Sequence, residues 1–169
     1  MEFTLQSKCD VSRLTDRKDA AIYQGSLPTA SCQLIAERFG FEGVSEVVVD
    51  LTVKLIAKET WEVKGQISAM VTQACVMTAT PIDEQLMIRV EERYVPHIDQ
   101  DDEQIEIDVS AVDVELLTDQ EILLGELVQQ AIGLNAAAHP RLENAPEHYQ
   151  AGPEIKVENP FQKLSELKN

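Results

Sequence analysis

Positive charge is the scarcest feature of this 169-residue chain, which has 14 Lys and Arg residues against 30 Asp and Glu and a formal net charge of -16. Proteins that grip nucleic acid by its phosphates need clustered Lys and Arg, so the composition argues against a DNA-binding protein and favours a basic partner. No Lys or Arg occurs between Arg93 and Arg141. Acidic residues crowd into that interval, at Asp99, Asp101, Asp102, Glu103, Glu106 and Asp108.

Long apolar runs are also missing, although 44% of the residues are hydrophobic. No window is apolar over the length of a bilayer, and the start "MEFTLQSKCD" has an acidic residue at position 2 and no apolar segment like that of a secretory signal. We therefore expect a soluble, cytoplasmic protein that makes no membrane contact.

Cysteine is limited to Cys9, Cys32 and Cys75, an odd number spread widely along the chain. In a reducing compartment these residues are expected to be buried or half-buried free thiols without a disulfide framework. A metal site at Cys75 would need a second thiol nearby, but the residue three positions later is Thr78.

Catalytic and cofactor motifs are absent as well. The chain has no phosphate-cradling Gly-rich loop and no Ser elbow, and its histidines lack the spacing of a zinc helix, so we expect them at the surface (His97, His139, His148). The run "DQDDEQIEID" has Gln104 where a calcium loop needs Gly and Ser110 where it needs Glu. The residues therefore identify no catalytic or cofactor motif, and we expect the acidic run to be a solvated loop without a metal.

Alternating hydrophobicity is the clearest structural signal. Apolar residues occupy every second position from Val47 to Leu55 and again around Trp61 to Val71, which predicts an antiparallel hairpin with one buried face. The same alternation predicts further strands around Phe3 and Leu5, in "AIYQGSLP", and at two later places (Leu86, Ile88, Val90; Ile105, Ile107, Val109).

Helical spacing appears in two places. Cys32, Ile35 and Phe39 predict a helix over about 30–39 that is capped by Thr29 and ends at Gly40. A second apolar face predicts a helix over about 122–135 with Asp119 as N-cap, and Gly125 inside it suggests close packing or a bend. The predicted class is α+β, with an antiparallel twisted sheet of six to eight strands or a partial barrel, these two main helices and a short C-terminal helix.

The C-terminal part differs in composition from the rest. We predict one α+β domain over 1–141, a flexible Pro- and Glu-rich linker over 142–158 and a helix over 159–169. Asn159 and Pro160 suit a helix start, and one apolar side follows them (Phe161, Leu164, Leu167). This helix docks either on its own domain or on a partner.

Several stretches together, in order and spacing, resemble the YceD-like family of large ribosomal RNA subunit accumulation proteins, in its alphaproteobacterial form. They are "AERFGFEGVSEVVVDLTV", "VTQACVMTATP", "LLGELVQQAIGLNAAAHPR" and "NPFQKLSELK". The resemblance places Cys75 on the first cysteine of a Cys-x-x-Cys pair, whose second position is Thr78 here. It places Gly125, Glu126 and Leu127 on a helix motif, and Asn159, Pro160 and Phe161 on a terminal motif.

The resemblance implies a non-enzymatic factor needed for normal levels of large-subunit ribosomal RNA. Together with the charge, it leads to the hypothesis of a ribosome-assembly factor that binds a basic large-subunit protein or a pre-ribosomal particle and contacts ribosomal RNA indirectly. The acidic residues Asp99, Asp101, Asp102 and Glu103 would attract the partner, and the terminal helix would anchor it.

Two alternatives remain open. The first is direct binding of ribosomal RNA by the basic residues of the sheet (Lys54, Lys58, Lys64, Arg89, Arg93). The second is a metal-dependent hydrolase that uses Asp99, Asp101 and Asp102.

Overall fold

The computed structural model describes residues 3–96, 113–117 and 119–146. Two helices pack against a five-stranded sheet and a separate two-stranded sheet, so the α+β class is confirmed. In chain order the elements are β1 (Cys9–Asp10), β2 (Ala20–Ser26), α1 (Thr29–Phe39), β3 (Gly43–Ala57), β4 (Thr60–Ala74), β5 (Pro81–Val95), β6 (Asp113–Leu116), β7 (Glu121–Ile122) and α2 (Leu124–Asn135). The predicted strand at 105–109 and the predicted terminal helix lie outside the described residues.

Three long strands form the centre of the main sheet. β3 and β4 make the predicted hairpin, and β5 pairs antiparallel with β4, for example at Ile67 and Ile88. Every second side chain points into the core, as shown by Val49 and Ile67, which are 1% and 0% exposed. The alternation in the sequence therefore correctly predicts a sheet with one face in the core and the other in contact with water.

Two predictions about the main sheet, a partial barrel and purely antiparallel pairing, differ from the structure. The strand order is β2-β3-β4-β5-β6, and the sheet does not close into a barrel within the described residues. It is also not wholly antiparallel, because β6 pairs parallel to β5. Residues 96–112 join these two strands, a connection long enough for the chain to return in the same direction.

Helix α1 begins and ends close to its predicted limits. Gly40 takes up a left-handed conformation (φ 71°) as the C-cap, as predicted. The predicted Thr29 cap is wrong, because Thr29 is the first helical residue and Pro28 precedes it without a side-chain cap.

Helix α2 starts later than predicted. Ile122 belongs to β7 and pairs with Cys9 of β1, while Asp119 lies in a turn with φ 55° and does not cap the helix. The apolar spacing after residue 121 fits a helix or a short strand, and pairing with the distant N-terminal segment decides the outcome.

The first residues do not form the predicted strand. Phe3 is buried in the core, and the backbone turns at Leu5 and Gln6. The segment then packs against the start of α2, an arrangement that requires a turn and not an extended strand.

Candidate functional site

The Gly-Glu-Leu motif of α2 holds this helix in place. The Gly125 N–H donates a hydrogen bond to the Ser7 carbonyl oxygen at 2.9 Å, and the backbone of Leu5 occupies the space that a β-carbon at Gly125 would need. The expectation of close packing at Gly125 is thus confirmed. Leu127 is 3% exposed and joins the core beneath the helix.

Glu126 connects α2 to α1. Its two carboxylate oxygens accept hydrogen bonds from the two terminal nitrogens of Arg38, at 2.7 and 2.6 Å. These bonds lower the pKa of Glu126 and raise that of Arg38. Arg38 also donates to the Gln129 side chain at 3.3 Å. This planar, bidentate contact joins the two helices, so Glu126 has a structural role.

Cys75 lies in the turn that follows β4. Its side chain is 2% exposed, and its sulfur accepts a hydrogen bond from the Leu142 N–H at 3.5 Å. The pKa of Cys75 is lowered to about 7, mainly by the Thr78 hydroxyl and also by the backbone N–H groups of Leu142, Met77 and Thr78. Val76 N–H also bonds the Pro140 carbonyl at 2.9 Å, so this turn ties the end of β4 to the segment that follows α2.

The other two cysteines have a different environment. Burial raises the pKa of Cys9 and of Cys32, and all three thiols are free and buried, as expected. In the ranges 3–96, 113–117 and 119–146, no group of three or more His, Cys, Asp or Glu residues could hold a metal ion. His139 is exposed, whereas His97 and His148 lie outside the described residues.

The predicted basic patch lies on the solvent face of the main sheet but is interleaved with acids. Lys64 contacts Glu62 and Glu91, both at 3.0 Å, and Arg89 contacts Glu91 at 3.5 Å. Arg93 is paired in register with Glu62, and its Nε is buried without a hydrogen-bond partner. Lys54 and Lys58 are exposed. Cations that already hold carboxylates present little positive potential to a phosphate backbone.

A groove of about 400 Å³, here called the α2 groove, runs between α2 and the β5–β6 edge of the sheet. Ile88 and Val90 of β5 lie along its floor, and Leu116, Leu123 and Leu134 line it and are 54%, 56% and 85% exposed. Its charged lining consists of one cation and five carboxylates (Arg89; Glu91, Glu92, Glu115, Glu121, Glu126). The groove therefore has polar and apolar lining in about equal shares, and its charged residues are predominantly acidic.

The residues predicted to bind a partner belong to two segments of the sequence, 99–103 and 159–167. The acidic residues Asp99, Asp101, Asp102 and Glu103 and the terminal residues Asn159, Pro160, Phe161, Leu164 and Leu167 all lie outside the described residues. Of the predicted motif residues, the structure brings Gly125, Glu126 and Leu127 together on α2, while Cys75 lies at the far end of β4.

A family model described as large ribosomal RNA subunit accumulation protein YceD matches residues 63–168, well over half of the chain. The chain belongs to the YceD family. No curated protein and no solved structure matches it. The YceD match begins in β4 and includes both Cys75 and the α2 motif. The family's name connects this chain with the accumulation of large-subunit ribosomal RNA.

Arg38, the partner of Glu126, lies before the matched region. Sequence reasoning missed Arg38 because nothing in the local pattern of α1 connects it with a residue 88 positions later. It also missed the α2 groove, although Leu123, Leu127 and Leu134 share a helical spacing. Neither helix of the described part is long and apolar enough to cross a membrane.

Proposed function

We propose that this YceD-family protein is a non-enzymatic assembly factor that supports large-subunit ribosomal RNA by binding a basic large-subunit protein or a pre-ribosomal particle. We choose a basic partner because the chain has a net charge of -16 and an acid-rich surface that includes the α2 groove. Such a surface attracts Lys- and Arg-rich proteins over long range.

Direct RNA binding is the weaker alternative for a structural reason. Lys64 and Arg89, at the centre of the candidate basic patch, already contact Glu62 and Glu91. An RNA phosphate would have to displace these carboxylates while facing the other acids of the surface. Contact with ribosomal RNA is therefore proposed to be indirect, through the bound protein.

The segments outside the described residues have proposed roles in the same event. Asp99, Asp101, Asp102 and Glu103 raise the rate of encounter with the partner. The terminal segment adds an apolar contact through Phe161, Leu164 and Leu167, with Asn159 and Pro160 setting its start.

Affinity purification tests this function. The tagged full chain is recovered from native lysate at low and moderate salt, beside a variant that ends before Asn159. We expect basic large-subunit proteins to co-purify, with less recovered by the shortened chain. Recovery of ribosomal RNA that survives removal of the ribosomal proteins, with a steep salt dependence, would instead favour direct RNA binding.

A second assay tests the proposal that the chain is not an enzyme. Purified protein is incubated with structured ribosomal RNA and Mg²⁺ or Mn²⁺, and we expect the RNA to stay intact. Cleavage that is lost in Asp101→Ala would establish the hydrolase alternative, because that carboxylate would then be a metal ligand.

A further inference from the structure

We propose that the α2 groove is the docking site for a basic amphipathic segment of the protein partner, about three helical turns long. This inference rests on the proposed function, which requires a basic protein partner, and it adds the place and the chemistry of the contact.

The length follows from an apolar strip along α2. Leu127, Ala131 and Leu134 are four and three residues apart and share one side of α2, and Leu123 is the non-helical residue just before the helix begins. Leu127 is buried, whereas Leu123 and Leu134 are 56% and 85% exposed. The 12 residues of α2 span about 18 Å at 1.5 Å per residue, which matches about three turns of a docked helix.

The opposite wall is also partly apolar. Leu116 of the edge strand β6 is among the residues that line the groove, and it is 54% exposed. With Leu123, Leu134 and the floor of Ile88 and Val90, it adds apolar area to a groove whose lining is about half polar. An occupant with an apolar face would bury these side chains.

The rim selects the charge of the occupant. At the β6 end, Tyr94 donates a hydrogen bond to Glu92 at 2.8 Å, and its pKa is raised by burial and by the charges of Glu92 and Glu115. The carboxylates of Glu92 and Glu115 therefore both lie close to the Tyr94 hydroxyl. In the described part of the chain Glu115 forms no ion pair, so an incoming Lys or Arg would meet an uncompensated charge there.

The other rim carboxylates contribute less. Glu91, Glu121 and Glu126 are held by Lys64, Lys8 and Arg38 respectively. These three ion pairs offset much of the negative charge along the rim, whereas Glu115 forms none within the described residues. A nucleic acid or an acidic peptide would be repelled at Glu115, whereas a segment with Lys or Arg at one end and an apolar face fits both features.

Binding of a designed peptide tests the groove independently of any natural partner. The probe is a 14-residue helical peptide of Leu and Lys, and its control replaces every Lys by Glu. The full chain is labelled with ¹⁵N, and amide shifts are followed by NMR. We expect the Lys peptide to shift the amides of Leu116, Leu123 and Leu134, and the Glu peptide to shift none of them. Shifts spread over all acidic surfaces, or no shifts, would overturn the proposal.

Matched substitutions test the two chemical features. Leu134→Glu is compared with Met87→Glu, since Met87 is 71% exposed on the solvent face of the sheet. Glu115→Lys is compared with Glu59→Lys, which makes the same change of charge in the β3–β4 turn. We expect each groove variant to weaken peptide binding at least tenfold and each control to change it less than twofold. Equal losses in groove and control variants would contradict docking in the groove.

The same assay decides between the partner and the chain's own C-terminal segment, whose Lys163, Lys168 and Phe161 offer similar chemistry. If the chain ending at residue 158 bound the peptide tenfold more tightly than the full chain, the groove would hold that segment and our choice of occupant would be wrong. If Leu134→Glu did not change the capture of the partner from lysate, the groove would not be the docking site, but the proposed function would stand. If the peptide bound in the groove but no large-subunit protein were captured, the proposed function would be wrong, but the groove would still be a docking site.

Discussion

Single residues of α2 have roles in packing that can be measured. Gly125 lies where the N-terminal segment crosses α2, and the backbone of Leu5 fills the space beside it. Backbone atoms cannot swing aside as a flexible side chain can. Small residues at such crossings are therefore required by packing.

Gly125→Ala is predicted to destabilise the fold by about 1–3 kcal/mol, the range for overpacked sites, although Ala is the better helix former. The matched control is Gly133→Ala in the same helix, where the obstacle is the side chain of Phe39, which can move. Urea unfolding followed by circular dichroism gives both free energies of unfolding. If Gly125→Ala were no less stable than Gly133→Ala, the crossing with Leu5 would not be a tight contact.

Cys75 is predicted to ionise at lower pH than the other two thiols. Its pKa is lowered to about 7 by the Thr78 hydroxyl, whereas burial raises those of Cys9 and Cys32. Thiolate is the reactive form, so alkylation of Cys75 by iodoacetamide, followed by site-resolved mass spectrometry, should rise with pH through about 7.

Thr78→Val removes the hydroxyl and should move the midpoint of Cys75 alkylation to higher pH, while Thr60→Val at the distant start of β4 should leave it unchanged. An unchanged midpoint in Thr78→Val would mean that the hydroxyl does not stabilise the thiolate.

Among the secondary-structure elements, α1 and α2 contact each other through the Arg38–Glu126 pair and through Phe39 against Gly133. Both side chains are partly exposed, 42% and 35%, so the pair contributes modestly to stability and is weakened by salt. Because the pKa of Glu126 is lowered in the fold, its contribution is fully present above the unfolded value near 4.5 and is lost as the pH falls through the folded value.

A double-mutant cycle with Arg38→Met and Glu126→Gln measures this contribution. We expect a small favourable coupling at pH 7 that diminishes at high salt and disappears at strongly acidic pH. A coupling of the same size at all pH values would show that the two side chains interact through packing and not through charge.

The elements also show how far sequence reasoning extends. Residues 46–72 and Leu86 to Val90 were predicted correctly because alternation is a local signal that each strand carries itself. The start of α2 was predicted wrongly because pairing of Ile122 with Cys9 joins residues far apart in the chain. Parallel pairing of β6 with β5 and the Arg38–Glu126 contact are non-local in the same sense. The α2 groove exists only where two such non-local arrangements meet.

On the scale of the whole molecule, the dominant property is the excess of acidic residues, and its predicted effect is on the rate of association. The test variant combines Asp99→Asn, Asp101→Asn, Asp102→Asn and Glu103→Gln, which removes four negative charges from one segment. The matched control removes four from scattered exposed sites, namely Asp19, Glu42, Glu59 and Glu143. Stopped-flow mixing with the basic large-subunit protein found by affinity purification gives the association rate constants.

At low ionic strength we expect the test variant to associate about tenfold more slowly and the control to be affected less, because steering depends on where charge is concentrated. At 1 M salt the screening length falls to about 3 Å, so the two variants should then associate at the same rate. A deficit of the test variant that persisted at 1 M would mean that these residues touch the partner directly. The long-range attraction would then come from the rest of the acidic surface, and the 99–103 segment would belong to the binding site itself.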